Sequence, residues 1–97
     1  EEIFSKPVNI HTLDLASNWL NELPAGLFDT LTKLEKLNLM KNDLEKLPDG
    51  IFQTLTSLKN LWLTNNRELE CIPPVPSTAT RVSADRGVDT CGEWFKP

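Results

Sequence analysis

A spacing of 24 residues recurs along most of the chain and constrains its fold more than any other feature. Residues 10–33 and 34–57 are identical at 11 of 24 positions, which is far more than chance would give. A fixed period of this length is typical of a solenoid, in which each repeat forms one coil and buries its apolar face against neighbouring coils. The residues that recur at this step are Phe4, Phe28 and Phe52; Leu13, Leu37 and Leu61; Leu15, Leu39 and Leu63; Asn18, Asn42 and Asn66; and Pro24 and Pro48.

Each repeat contains a short run of alternating leucines that predicts a β-strand. Leu13 and Leu15 flank Asp14, so both leucines face one side of an extended segment and Asp14 faces the other. The equivalent segments are residues 37–39 and 61–63, and stacked coils would pair them in parallel, ~4.8 Å apart. The sequence therefore predicts a narrow parallel sheet with leucines on its inner face.

Asn18, Asn42 and Asn66 follow the strands where the chain turns inward. A buried amide can satisfy backbone groups that leave the sheet, so three aligned asparagines would form a ladder; the alternative is asparagines in exposed turns. The phenylalanines would stack as a spine near the opposite side, where Pro and Gly predict turns and 3₁₀ segments rather than long helices. The other interior positions of the first full unit are Leu20, Leu23, Phe28, Leu31 and Leu34.

The unit reads Leu-x-x-Leu-x-Leu-x-x-Asn-x-Leu-x-x-Leu-Pro-x-x-x-Phe-x-x-Leu-x-x and resembles the 24-residue extracellular form of the leucine-rich repeat. The resemblance implies an α/β leucine-rich-repeat horseshoe, with a short parallel β-sheet on the concave face and turns and 3₁₀ segments on the convex face. We expect repeats over residues 1–73 and a C-terminal cap over residues 74–97. The repeats comprise a partial first unit, 1–9, and the units 10–33, 34–57 and 58–73.

The third unit and the tail depart from the pattern. One residue is inserted after Asn66, so the next leucine falls at Leu69 and a local bulge is expected. Residues 79–84 are interpreted as a last, shortened strand segment, which would place Cys71 and Cys91 on adjacent coils at one corner. Coils about 5 Å apart fall within the roughly 4.4–6.8 Å Cα separation that a disulfide tolerates. The cap is therefore predicted to be pinned by this disulfide.

The two ends of the stack are predicted to differ. Trp94 and Phe95 would cover the C-terminal end, since a last coil otherwise exposes apolar surface; the alternative is an aromatic ligand site. Ile3 and Phe4 match only the closing part of a repeat, without a preceding strand segment or an N-terminal cysteine cap. We expect either that the chain is excised from a longer array or that another molecule shields its first coil.

The outward strand positions predict where a ligand would bind. Trp62 and Met40 are apolar where a merely solvated face would carry small polar residues, and they lie diagonally on neighbouring strands. A large aromatic ringed by polar groups is typical of an interface hot spot; the alternative is that Trp62 packs against a neighbouring side chain. Trp19 either extends this patch or covers the coil edge. One outward row reads Ala16, Met40, Thr64 and Asp85.

The segments ELPAGLFDTLTKLEKLNL and KLPDGIFQTLTSLKNLWL are similar to variable lymphocyte receptors of jawless vertebrates, which are secreted or anchored antigen binders. Toll-like and adhesion ectodomains share the same unit. The tail departs from those receptors, with two cysteines rather than four and no protruding insert. The resemblance implies a secreted or cell-surface, immune-type recognition module that binds a protein or glycan on its concave sheet. The contacts that it implies are Asp14, Lys36, Asn38, Met40, Asn60, Trp62 and Thr64.

Charge and composition disfavour several other functions. The net charge is −4 with acids and bases interleaved, whereas nucleic acids and anionic membrane surfaces are bound by basic stripes. No apolar run approaches the ~20 residues of a membrane span. His11 is the only histidine and lies far from both cysteines, so we expect no metal site, no cofactor and no catalytic residues. An alternative to recognition is an assembly element whose uncapped N-terminal coil stacks on another copy or domain.

Overall fold

The computed structural model describes residues 9–92, in which four three-residue strands form one parallel sheet. The predictions that concern Ile3, Phe4, Trp94 and Phe95 lie outside the described residues. The order of the strands in the sheet is the order along the chain, so each coil adds one strand beside the last. The strands are β1 (Thr12–Asp14), β2 (Lys36–Asn38), β3 (Asn60–Trp62) and β4 (Arg81–Ser83).

The register of the sheet follows the sequence repeat. Leu13 pairs with Leu37, Leu37 with Leu61, and Leu61 with Val82. The first two steps are 24 residues long and the last is shortened, yet the inward position is kept in all four strands. This confirms the predicted strand segments, including the one in residues 79–84.

The core lies on the inner side of the sheet and consists of columns of like residues. Leu13 and Leu15 in the first described coil are partly buried, whereas the equivalent leucines of the next two coils are fully buried. Phe28 and Phe52 are also fully buried and stack with ring centroids 6.4 Å apart and an interplanar angle of 9°. The predicted phenylalanine spine is confirmed for this pair. The fully buried strand leucines are Leu37, Leu39, Leu61 and Leu63.

Buried asparagine amides link successive coils. The Asn42 Nδ2 group donates to the carbonyls of Leu15, one coil back, and Leu39, each at 3.1 Å. The Oδ1 atom of the same side chain accepts the backbone N–H groups of Asn18 at 2.9 Å and Leu20 at 3.0 Å. One side chain thus satisfies backbone groups of two coils that the turn withdraws from the sheet.

Asn66 repeats this arrangement, but Asn18 does not. The Asn66 Nδ2 group donates to the carbonyls of Leu39 at 3.0 Å and Leu63 at 2.9 Å, and Asn66 is 1% exposed. The Asn18 side chain is exposed and donates to a carbonyl two residues before it. Because β1 is an edge strand in the described sheet, no earlier strand there presents a carbonyl to Asn18. The predicted ladder therefore has two buried members, and the prediction was wrong for Asn18.

The side of the described coils that lies away from the sheet consists of turns. The carbonyls of Pro24 and Pro48 accept the N–H groups of Leu27 and Ile51, each at 3.2 Å. Gly26 has φ +79°, a left-handed conformation that glycine adopts without steric cost. Further i→i+3 bonds follow at every second or third residue rather than consecutively, so no 3₁₀ segment forms in residues 9–92. The prediction of 3₁₀ segments was wrong there, and the described residues contain no helix to supply the α part of an α/β fold.

A disulfide joins Cys71 to Cys91 with a Cα separation of 4.9 Å, as predicted. Beside it, Ile72 and Thr90 form a parallel bridge, in which the Cys91 N–H donates to the Ile72 carbonyl at 2.8 Å. The covalent link and the bridge together hold the segment after β4 against the preceding coil.

The inserted residue after Asn66 forms a separate turn. The N–H of Leu69 donates to the carbonyl of Asn66 at 3.0 Å, and Arg67 and Glu68 are exposed at the tip of the turn. Leu69 returns to the core at 5% exposure. The predicted bulge is confirmed, and its effect is to push two charged side chains outward.

Candidate ligand-binding face

The side of the sheet opposite the leucine core is its open face, formed by the strand residues that flank the inward leucines. Two rows of in-register residues cross this face, with neighbours ~4.8 Å apart. The first row is Thr12, Lys36, Asn60 and Arg81, and the second is Asp14, Asn38, Trp62 and Ser83. The structure therefore brings together five predicted contact residues, namely Asp14, Lys36, Asn38, Asn60 and Trp62. The other two, Met40 and Thr64, follow directly after the strands and the buried leucines.

Asp14 and Asn38 each use one side-chain oxygen to end a strand. Asp14 Oδ1 accepts the N–H of Ala16 and Asn38 Oδ1 accepts the N–H of Met40, both at 3.0 Å. Each bond joins a side chain to the backbone two residues on, which is the Asx turn that Asp and Asn favour. These residues therefore have a structural role that sequence reasoning missed, although an Asx residue between the two strand leucines of the first two full repeats is a signal for it.

Trp62 sits in the second row, in register with Asn38 on one side and Ser83 on the other. Both Trp62 and Met40 are partly buried, so the protein already covers part of the indole. Even so, Trp62 is the largest side chain of the open face, and its row neighbours are small and polar. The structure thus places one aromatic ring among polar groups on this face.

Trp19 lies in the loop after β1 and is 82% exposed. A side chain that covered the coil edge would be substantially buried, so that alternative is wrong for Trp19. Its backbone has φ +59°, in the left-handed region that bulky residues rarely adopt. Among the described residues, Trp19 is a large apolar side chain with high solvent exposure, and it is more exposed than Trp62.

Asp85 does not take the outward position that its alignment with Met40 and Thr64 predicted. Its carboxylate turns back to the preceding coil and accepts the N–H groups of Asn65 at 2.8 Å and Asn66 at 3.2 Å. The shortened step before β4 shifts the chain so that Asp85 reaches these donors. The sequence contained a signal for this role of Asp85. The backbone N–H groups of the last full coil need an acceptor, and Asp85 is the acidic residue that follows β4.

Within residues 9–92, no group of three or more His, Cys, Asp and Glu side chains is placed to hold a metal ion. His11 is exposed, and its Nδ1 atom lies 3.6 Å from a carboxylate oxygen of Glu35. In the same part of the chain, we find no helix with the length and apolar character needed to cross a membrane.

Comparison with known proteins identifies the family of the chain. A family model described as "Leucine rich repeat" matches residues 8–67, which is more than half of the chain. Neither a search of curated proteins nor a search of solved structures gave a significant match. Domains of the matched family generally mediate protein binding and are typically non-enzymatic. The matched segment spans β1, β2 and β3 with the leucine columns and both buried asparagines, so the chain belongs to the leucine-rich repeat family.

Proposed function

We propose that the chain is an extracellular recognition module that binds a protein ligand through the open face, which would be the concave face of a horseshoe. The observation that carries this proposal is the contrast between the two sides of the strands. The inward position is Leu13, Leu37, Leu61 and Val82, whereas the second outward row changes from Asp to Asn, Trp and Ser. The repeat thus holds the core constant and presents a different side chain from each coil.

Trp62 is the proposed centre of the interface. Tryptophan is enriched among the residues that dominate binding energy, and such residues lie within a ring of polar neighbours that exclude water. Asn38 and Ser83 flank the indole in register, and Asn38 keeps its Nδ2 group free of hydrogen bonds within the described residues. These features support a contact with a folded protein surface, in the manner of an antigen receptor or an adhesion ectodomain.

The extracellular location is a proposal that the disulfide supports. Disulfides persist in oxidising compartments and are rare in the cytosol, and the Cys71–Cys91 link spans 20 residues at the C-terminal end of the stack. The similarity of the repeats to secreted and anchored antigen binders points in the same direction.

The test is binding of the intact chain to an array of purified secreted proteins and cell-surface ectodomains. We expect Trp62→Ala to weaken binding to a retained ectodomain by ~2 kcal/mol or more. Gln53→Ala, an exposed change in a convex turn, is the matched control and should leave the affinity unchanged. Equal affinity of the wild type and Trp62→Ala for every retained ectodomain would exclude the open face as the site.

Assembly through the N-terminal coil is a second candidate, favoured by one observation. Leu13 and Leu15 remain partly buried, while the equivalent leucines of the next two coils are fully buried, so the first described coil has apolar area left to cover. Sedimentation of the intact chain over a range of concentrations tests this. A dimer that Phe4→Asp abolishes would support assembly, and a monomer at all concentrations would exclude it.

A further inference from the structure

Trp19 has two unfavourable features that the repeat does not require. Its indole is 82% exposed, so it contributes little to the core, and its φ of +59° is strained for an aromatic residue. The equivalent residue one coil on, Asp43, is not among the left-handed residues of the described backbone. Strained, exposed aromatic residues concentrate where a protein contacts a ligand.

Two clefts run from Trp19 along the flank of the stack, beside the loops that follow the strands. The first has a volume of about 230 Å³ and the second about 440 Å³, and they share Lys41 and Asp43. We call the two together the flank groove. The first cleft is lined by Ser17, Trp19, Lys41 and Asp43. The second is lined by Lys41, Asn42, Asp43, Asn65, Arg67 and Glu68.

The inserted residue in the third coil builds the far wall of the flank groove. The extra turn between Asn66 and Leu69 carries Arg67 and Glu68 outward, and both line the larger cleft. The corresponding stretch of the second coil is one residue shorter. The groove therefore depends on two departures from the regular repeat, the exposed tryptophan at one end and the insertion at the other.

The polar side chains of the flank groove are available to a ligand. Within residues 9–92, the side chains of Lys41, Asp43, Arg67 and Glu68 make no hydrogen bond to the protein and no ion pair. All four are exposed. Their two positive and two negative charges cancel, so these four side chains carry no net charge that would favour an ionic ligand, and they offer both donors and acceptors of hydrogen bonds.

We propose that the flank groove binds a neutral oligosaccharide, with one sugar ring packed on the indole of Trp19. A sugar ring has an apolar C–H face, which suits a flat aromatic surface, and a rim of hydroxyl groups that donate and accept. Lys41 and Arg67 offer donors to those hydroxyls, and Asp43 and Glu68 offer acceptors. The flank groove shares no lining residue with the open face, and this proposal does not depend on the function proposed for that face.

The experiment uses the intact chain labelled with 5-fluorotryptophan. The chain has three tryptophans, and each should give its own fluorine resonance. The probes are cellohexaose, chitohexaose, mannohexaose and lacto-N-tetraose at millimolar concentration, with sialyllactose and a heparin tetrasaccharide as acidic counterparts. We expect at least one neutral probe to shift the Trp19 resonance. Trp19→Asn, which keeps a residue that tolerates positive φ, should weaken binding of that probe about tenfold or more.

The controls separate this site from the open face and from a loss of folding. Trp62→Ala should bind the probe as the wild type does, and thermal unfolding of Trp19→Asn should remain cooperative. The proposal is overturned if no neutral probe moves the Trp19 resonance, if only the acidic probes do, or if Trp19→Asn binds as tightly as the wild type. A protein ligand lost in Trp19→Asn, without any oligosaccharide binding, would instead make the flank groove a protein interface.

Discussion

The carboxylate of Asp85 accepts the backbone N–H of Asn66 at 3.2 Å, and this bond ends the asparagine ladder. Two coils earlier, the N–H of Asn18 donates to the side chain of Asn42, and one coil earlier the N–H of Leu44 donates to the side chain of Asn66, so each coil relies on the next for an acceptor. The Asp85 carboxylate also accepts the N–H of Asn65 at 2.8 Å. A single acidic side chain thus replaces the acceptors that another full repeat would supply.

Replacing Asp85 should therefore destabilise the C-terminal end of the stack. Asp85→Ala leaves two N–H groups without their acceptors, and we expect it to lower the free energy of unfolding by about 2 kcal/mol. Asp85→Asn keeps one acceptor oxygen and should lower it by about half as much. Urea unfolding of the oxidised chain measures both values. Asp89→Ala, an exposed acidic residue in the same segment, is the control, and a loss as large as that of Asp85→Ala would contradict the role of Asp85.

The two buried asparagines should matter far more for stability than the exposed one. Asn42→Ala removes three bonds to carbonyls and two from backbone N–H groups, and we expect a loss of about 3 kcal/mol or more. Asn18→Ala removes one exposed local bond and should lose less than about 1 kcal/mol. Parallel urea titrations measure the free energy of unfolding of both variants. Losses of similar size in Asn42→Ala and Asn18→Ala would mean that burial in the asparagine ladder contributes little to stability.

The sequence predicted the sheet, its register and most of the core. A strict 24-residue step leaves one way to bury Leu13, Leu37 and Leu61 together, and neighbouring coils then fall into register. The disulfide followed from the same reasoning, because Cys71 and Cys91 occupy similar places in successive coils. These features depend on periodicity alone, which a sequence displays directly.

Features set by the ends of the stack and by backbone conformation were not predictable in this way. The burial of Asn18 and the orientation of Asp85 depend on which coil lies beside them, and periodicity treats every coil alike. Ser17, Lys41 and Asn65 all have left-handed φ near +60°, one coil apart, yet none is glycine. The sequence gives a hint of this only at Asn65, because Asn tolerates that region better than Ser or Lys.

The disulfide should contribute a large part of the stability of the segment that follows β4. In the chain-entropy model, closing a loop of about 20 residues contributes ~3 kcal/mol. We expect the Cys71→Ser, Cys91→Ser double variant to unfold at a correspondingly lower denaturant concentration. A reducing agent should lower the stability of the wild type to a similar level and leave the double variant unchanged. An unaltered midpoint in the double variant would show that the Ile72–Thr90 bridge holds the segment after β4 without the covalent link.

Trp19 should be replaceable without a loss of stability. The indole is 82% exposed, so Trp19→Gly gives up little buried area, and glycine relieves a left-handed strain of roughly 1 kcal/mol or more. The added freedom of glycine in the unfolded chain offsets about 0.5–1 kcal/mol of that gain. We therefore expect the free energy of unfolding to stay level or rise by up to about 1 kcal/mol.

Trp62→Ala provides the contrast, because the partly buried indole of the open face should lose about 1–2 kcal/mol on truncation. Thermal or urea unfolding of Trp19→Gly, Trp62→Ala and the wild type measures the change in the free energy of unfolding for each variant. A loss above about 1 kcal/mol in Trp19→Gly would show that the ring packs against the protein and serves the fold. Stability that is kept or gained would mean that the fold does not require the strained, solvent-facing tryptophan, which is the result that the proposed contact with a ligand predicts.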